Sequence, residues 1–173
     1  FRLLVAITNA VLSKLDLDEL VTEVSREIQR NFGIDSISMV LRSERKGKLL
    51  VYSTHYLDKN APLYDQSEVD EKGTLSEKVM RNKKMLMLNL HSRDQHAPYE
   101  RMLFDMWGEQ DQTLCLFPLI FRERILGTLK LAQCKAQVFT ASNLELLNQI
   151  AERIAIAVDN ALSYREISHL KER

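Results

Sequence analysis

The chain has 173 residues, 45% of them hydrophobic, and its 24 Lys and Arg are balanced by 24 Asp and Glu. That length fits one ordinary domain with a self-sufficient core, and zero net charge excludes the basic excess of a dedicated nucleic-acid binder. Two cysteines, Cys115 and Cys134, are too few for a disulfide scaffold and suit a reducing, cytoplasmic setting, while the longest apolar run, Leu114 to Phe121, falls far short of the roughly twenty residues that span a bilayer.

From Phe1 to Leu12 the apolar residues recur at helical spacing, which predicts an N-terminal helix. Asp16 and Glu19 form a helix start signal, Leu17, Leu20, Val21, Val24, Ile28 and Phe32 make one stripe, and Gly33 supplies a stop. The period then changes. Ser36 to Arg42 and Leu49 to Tyr56, separated by a Glu44-to-Gly47 turn, predict an antiparallel hairpin in which Ser36 faces His55 and Ser38 faces Ser53.

Residues 59–72 are polar and contain Pro62, so they are expected to form a loop. Thr74 to Glu77 opens a short helix to about Lys83, and Met85 to Leu88 is a brief strand. His91 to Gln112 is long and irregular, with one amphipathic turn around Met102, Leu103, Met106 and Trp107; such segments commonly cover binding sites.

Thr113 to Phe121 and Arg124 to Cys134 predict a second hairpin turning at Arg122-Glu123. With that turn, Ile120 faces Ile125 and the earlier pairs follow in step, so Cys115 is placed opposite Lys130 and Thr113 opposite Ala132. One face of the pair is then uniformly apolar, with Leu114, Leu116, Leu129 and Leu131. The other carries Thr113, Cys115, Thr128 and Lys130. A long helix starts at Thr140 or Ser142 and is apolar around most of its circumference near Ile154. The whole predicts an α+β domain: an antiparallel sheet with the terminal helices on one face and a loop-covered concavity on the other.

Lys130 is the sharpest candidate, since a lysine among Thr128, Cys115 and Thr113 can neutralise a small anion in a shielded pocket; the plainer reading is an ammonium that snorkels to solvent. Ser38 and His55 can donate hydrogen bonds to the same anion, or be ordinary satisfied residues. His91, Arg93, His96 and Arg101 form a local cationic cluster able to close over a carboxylate, with solvated loop charge as the alternative. His91, Asp94 and His96 match no strong metal-ligand spacing. Met85, Met87, Met102, Met106 and Trp107 are either an adaptable pocket wall or plain core, and the cysteines read as small buried hydrophobes. No phosphate loop, nucleophile elbow or zinc-protease helix is present, so no catalytic residue, metal or cofactor is assigned.

The element order, with Leu116-Phe117-Pro118-Leu119, Ile125-Leu126-Gly127-Thr128-Leu129-Lys130-Leu131, Phe139-Thr140 and Ile154-Ala155-Ile156-Ala157 followed by Asn160-Ala161, resembles the GAF domain over nearly all of the chain. The GAF resemblance makes residues 1–173 one sensory domain. Tyr164 to Ile167 and Leu170 to Arg173 resemble the connector between a GAF domain and an ATPase module in bacterial enhancer-dependent transcription activators, so 160–173 reads as the start of a connector and the chain as a piece of a longer protein. That resemblance implies a small carboxylate ligand such as formate and control of a neighbouring ATPase; the apolar circumference near Ile154 points to a homodimer through the terminal helices, and the balanced charge and short apolar runs to no direct contact with nucleic acid or membrane. The alternative it leaves open is a ligand-free dimerisation module. Asn82-Lys83 without the family's downstream acidic motif disfavours a cyclic nucleotide, and cysteines without an adjacent His disfavour a bilin.

Overall fold

Local capping sets the first described helix. In α1 (Leu17–Phe32) the Asp16 carboxylate accepts the Asp18 N–H at 3.0 Å, and Gly33 ends the helix in the left-handed conformation at φ 65°. The computed structural model describes residues 5, 16–58, 60–91, 98–134 and 138–171; the expected helix over 1–12 lies outside them apart from helical Val5. Leu17, Leu20, Val21, Val24 and Ile28 are buried, so the predicted stripe is the face that packs.

Strands β1 (Ser36–Arg42) and β2 (Lys48–His55) pair in the register read from the sequence, Ser36 with His55 and Ser38 with Ser53. The expected loop after them is instead a third strand, β3 (Leu63–Asp70), paired along its length with β2. It is an edge strand exposed over most of its length, so burial imposed no alternation on its side chains and the sequence signal was absent. Helix α2 (Leu75–Asn82) is capped by the Thr74 hydroxyl, which accepts the Glu77 N–H at 3.1 Å.

Strand β4 (Leu86–Leu90), helix α3 (Pro98–Met106), strands β5 (Gln112–Phe121) and β6 (Arg124–Gln133), and helix α4 (Ala141–Lys171) complete the described chain. The Thr140 hydroxyl accepts the Asn143 N–H at 3.2 Å and so opens α4. The sheet runs β3-β2-β1-β6-β5-β4, with every neighbouring pair antiparallel. Helices α1 and α4 cover one face over the main core; α2 and α3 pack on the other, where Val79 and Leu103 meet Leu114 and Leu116. No helix among the described residues is long and apolar enough to cross a membrane.

The second hairpin departs from the expected register. At its tip Ile120 faces Ile125 and Phe121 faces Arg124 as anticipated, with Arg122 and Glu123 both at positive φ. A bulge between Leu119 and Ile120 then shifts every earlier pair by one, so Cys115 faces Leu131 and Leu116 faces Lys130. Cys115, Phe117 and Leu119 therefore point at α1 and α4, while Leu114 and Leu116 point at α2 and α3. The faces of β6 are as expected from Gly127 onward, with Leu126 and Ile125 exchanged at the irregularity, and those of β5 are reversed. Both sets of β5 side chains are apolar, so neither reported the slip.

Gly127 holds the middle of the sheet together. A Cβ there would lie 1.9 Å from the Val40 carbonyl oxygen of β1, so the strands close only around a glycine.

Candidate functional site

Lys130 lies in the middle of β6 on the face covered by α2 and α3, where the register lines up Asp65, Ser53, Ser38 and Lys130 across four strands. Ser38 and Ser53 hydroxyls are 2.8 Å apart and buried. The lysine is not a lone cation: its Nζ donates to Glu100 Oε1 of α3 at 2.8 Å, and each side chain is only 7% exposed. Burial draws the Lys130 pKa below its ordinary value, and the Glu100 charge pulls it back up.

This pair forms one wall of a cavity of about 370 Å³ between the sheet and the segment from Asp70 to Ser76. Val40, Leu49, Val51 and Val69 supply an apolar floor, and the polar side chains in the lining are Glu100, Lys130, Ser76, Thr74, Asp70 and Lys72. The Ser76 hydroxyl is 2.9 Å from that of Thr128, which ties α2 to β6 at the cavity edge. Chemically the arrangement is a small, largely apolar hollow with a buried ion pair on one wall and Asp70 and Lys72 also in its lining.

Of the residues proposed from sequence, Lys130, Thr128, Ser38 and His55 do share this face. Cys115 and Thr113 do not, because the bulge turns them to the other side. Cys115 is fully buried against the helices, which pushes its thiol up to about 12, and the Thr113 hydroxyl donates to Asn89 Oδ1 at 2.9 Å.

His55 sits beyond the Ser38 row at the opposite end from the cavity floor. Its Nδ1 is 2.8 Å from the Ser36 hydroxyl, which also accepts from Trp107 Nε1 at 3.3 Å, and its buried Nε2 has no partner among the described residues. Burial lowers the His55 pKa and nearby Asp65 opposes that shift.

Two members of the expected cationic cluster lie among the described residues, and each is engaged by carboxylates. His91 Nδ1 is 3.0 Å from Asp111 Oδ2 and half exposed, and Arg101 pairs with Asp105 at 3.0 Å and also with Glu109. Arg93, Asp94 and His96 lie outside the described residues. Among the described residues no group of three or more His, Cys, Asp or Glu could hold a metal ion. Met87 on edge strand β4 and Met85 just before it are exposed and wall no pocket with Lys130.

Glu100 and Ser76 were missed. A signal for Glu100 existed: Glu100, Leu103 and Phe104 are spaced as one helical face, and a carboxylate sharing a stripe with two large apolar residues is a buried carboxylate in search of a cation.

The GAF domain family model matches residues 16–158. Over its whole length the chain is 68% identical to the formate hydrogenlyase transcriptional activator FhlA of Escherichia coli (strain K12), and covers 25% of that relative. It is 35% identical over 174 residues to the DNA-binding transcriptional activator HyfR of the same organism, covering 99% of this chain and 26% of that one. The chain thus spans about a quarter of the length of the curated relatives it matches. Among solved structures, the GAF domain of a phosphoenolpyruvate-protein phosphotransferase from Coxiella burnetii superposes with a TM-score of 0.71 at 17% identity, covering 95% of each chain, which speaks to the fold alone. The element order, the sheet and the family match converge: the chain belongs to the GAF domain family.

Proposed function

We propose that the chain is the sensory, regulatory domain of a transcription activator, that it takes a small carboxylate such as formate into the cavity beside Lys130, and that occupancy controls a neighbouring ATPase module. The observation that carries the reading is the Lys130–Glu100 pair on the cavity wall: a carboxylate already occupies the lysine from within, so a carboxylate from outside finds a receptor of matching geometry. The identity of 68% to a formate hydrogenlyase transcriptional activator supports formate as the first candidate. The hollow, near the lower end of the roughly 300–1,000 Å³ usual for small-molecule sites, has room for larger carboxylates too.

A ligand shifts a domain only through its differential affinity for two states. Here the element that can differ is α3, whose Glu100 must yield Lys130 when a ligand takes it. Titrating the chain with formate, acetate and butyrate by calorimetry and amide NMR tests the reading. Saturable shifts centred on β6 and α3 that vanish in Lys130→Met support it; no response to any of the three at tens of millimolar rejects it.

A second reading, association of two copies, is favoured by Tyr164 and Ile167, which are 55% and 54% exposed towards the end of α4. Sedimentation of the wild type and Ile167→Asp decides it: a dimer lost in the variant supports the reading, and a monomer at high concentration removes it.

A further inference from the structure

Formate does not account for the apolar share of the hollow. The cavity of about 370 Å³ has room for on the order of ten waters, whereas a three-atom anion takes the space of about one or two. Val40, Leu49, Val51, Val69, Leu75 and Pro98 line what remains.

The layout of this face creates the hollow. Helix α2 packs on β5 and β6, where Val79 and Leu103 close over Leu114 and Leu116. The β1 to β3 side is roofed by the segment from Asp70 to Ser76, and beneath it Val40, Leu49 and Val51 gather with Met80 into a small cluster of their own, joined by part-buried Val69.

The strand register sets the length of the hollow. Lys130 stands in the row of Ser38 and Ser53; Val40 and Val51 form the next row, and Leu49 and Val69 the one after. From Ser53 to Leu49 along β2 is about 13 Å. A carboxylate held at Lys130 therefore has apolar side chains leading away from it, and charge returns only at the rim. There Asp70 is paired with Lys48, and Lys72 is exposed, where water already serves its charge.

Resting on the reading of the cavity as a carboxylate site, we infer that its ligand class is the monocarboxylate with an apolar body of about four to six carbons, the carboxylate at Lys130 and the body over Val40, Val51 and Val69. Formate is the shortest member of that class and leaves the place of the body unfilled. The protonation of the Lys130–Glu100 pair does not enter. Two magnitudes separate formate from a filling ligand. A ligand of three heavy atoms, even at the best efficiency of very small ligands, binds no tighter than about a millimolar. Each methylene then taken out of water against the apolar wall tightens binding about fourfold.

The test is calorimetry of the 173-residue chain at about pH 7.5, where every acid used is ionised, with formate, acetate, butanoate, hexanoate and octanoate. Hexanol and adipate serve as the neutral and doubly charged counterparts of hexanoate. The expected result is an affinity that climbs about fourfold per methylene from acetate to hexanoate and stops climbing at octanoate. Hexanol and adipate should each bind about tenfold or more weakly than hexanoate, the first lacking the charge and the second burying one too many. In Val69→Phe, which shortens the hollow at its far end, hexanoate should lose about tenfold while formate and acetate are unchanged. The wild-type series decides by itself if that variant does not fold. Affinity that is flat from formate to hexanoate overturns the apolar body and leaves the carboxylate reading in place. Adipate bound more tightly than hexanoate overturns it as well, by seating a second charge at Lys72. Affinity still climbing at octanoate puts the body outside this hollow and overturns the assignment. Hexanol bound as tightly as hexanoate overturns the carboxylate reading, and the ligand class with it. No binding of any acid at tens of millimolar overturns both.

Discussion

Lys130 Nζ of β6 and Glu100 Oε1 of α3 are 2.8 Å apart with 7% of each side chain in contact with solvent. Two ions removed from water in this way owe their tolerance to each other, because each alone would carry a desolvation penalty of several kcal/mol. The pair is therefore the point at which α3 is tied to the sheet by charge as well as by packing.

Removing one partner should cost far more than removing both. Glu100→Ala is expected to lower stability by about 3–5 kcal/mol, whereas the double variant Glu100→Leu with Lys130→Met should recover most of that loss. Urea unfolding of the two variants measures the difference. Equal losses in both would mean that the ions contribute no more than their methylenes.

Burial holds the His55 pKa below its ordinary 6.5, so below that pH the unfolded chain binds a proton that the folded chain refuses. Stability from this group is complete above about pH 6.5 and falls as the solution is acidified towards the folded pKa, by at most about 1.4 kcal/mol per pH unit. In His55→Asn that part of the slope should be gone. Denaturant midpoints at several pH values below neutrality, compared between the two proteins, check this; parallel curves would argue against a neutral buried imidazole.

Gly127→Ala is expected to cost about 3 kcal/mol or more, because its Cβ would meet the Val40 carbonyl oxygen of the neighbouring strand at 1.9 Å. Gly73, at φ 83° with open space around it, provides the contrast. Alanine there should cost only the left-handed backbone strain of about 1–2 kcal/mol. Thermal or chemical unfolding of both variants gives the ranking, and an undamaged Gly127→Ala protein would contradict the strand spacing.

Cys115 is fully buried among the α1 and α4 contacts with its thiol pushed up to about 12, while Cys134 is partly exposed and pushed up to about 11 by burial and Asp35. In the native chain at mildly alkaline pH a thiol reagent should label Cys134 slowly and Cys115 only through unfolding. Mass spectrometry of the labelled peptides reads out both sites. Prompt native labelling of Cys115 would place it in the cavity instead, as the uninterrupted hairpin register had it.

The parts of the fold that were legible are those where a local signal and burial agree. Asp16, Gly33 and Thr74 punctuate helices by bonds within a few residues, and the β1–β2 register follows from a short turn with no irregularity. Strand β3 was illegible because an edge strand exposed over most of its length, with Val69 packed at the cavity floor, has too little hydrophobic period to display. Lys130 could be placed on the correct face, since its neighbours in β6 alternate cleanly. Its partner could not: Glu100 lies thirty positions away in an irregular segment, and nothing in a one-dimensional pattern brings the two together.

The bulge at Leu119 and Ile120 has a corollary for how this sheet tolerates change. Strand β5 is oily whichever way up it lies, and so is indifferent to its own alignment. Its neighbour is not, for an ammonium at 130 would be ruinous beneath α4, and any side chain at 127 would strike β1. Alignment of the central strands is thus enforced from β6 alone, and a one-residue deletion at the hairpin tip should be absorbed by β5 rolling over while the cavity-facing wall of β6 stays where it is.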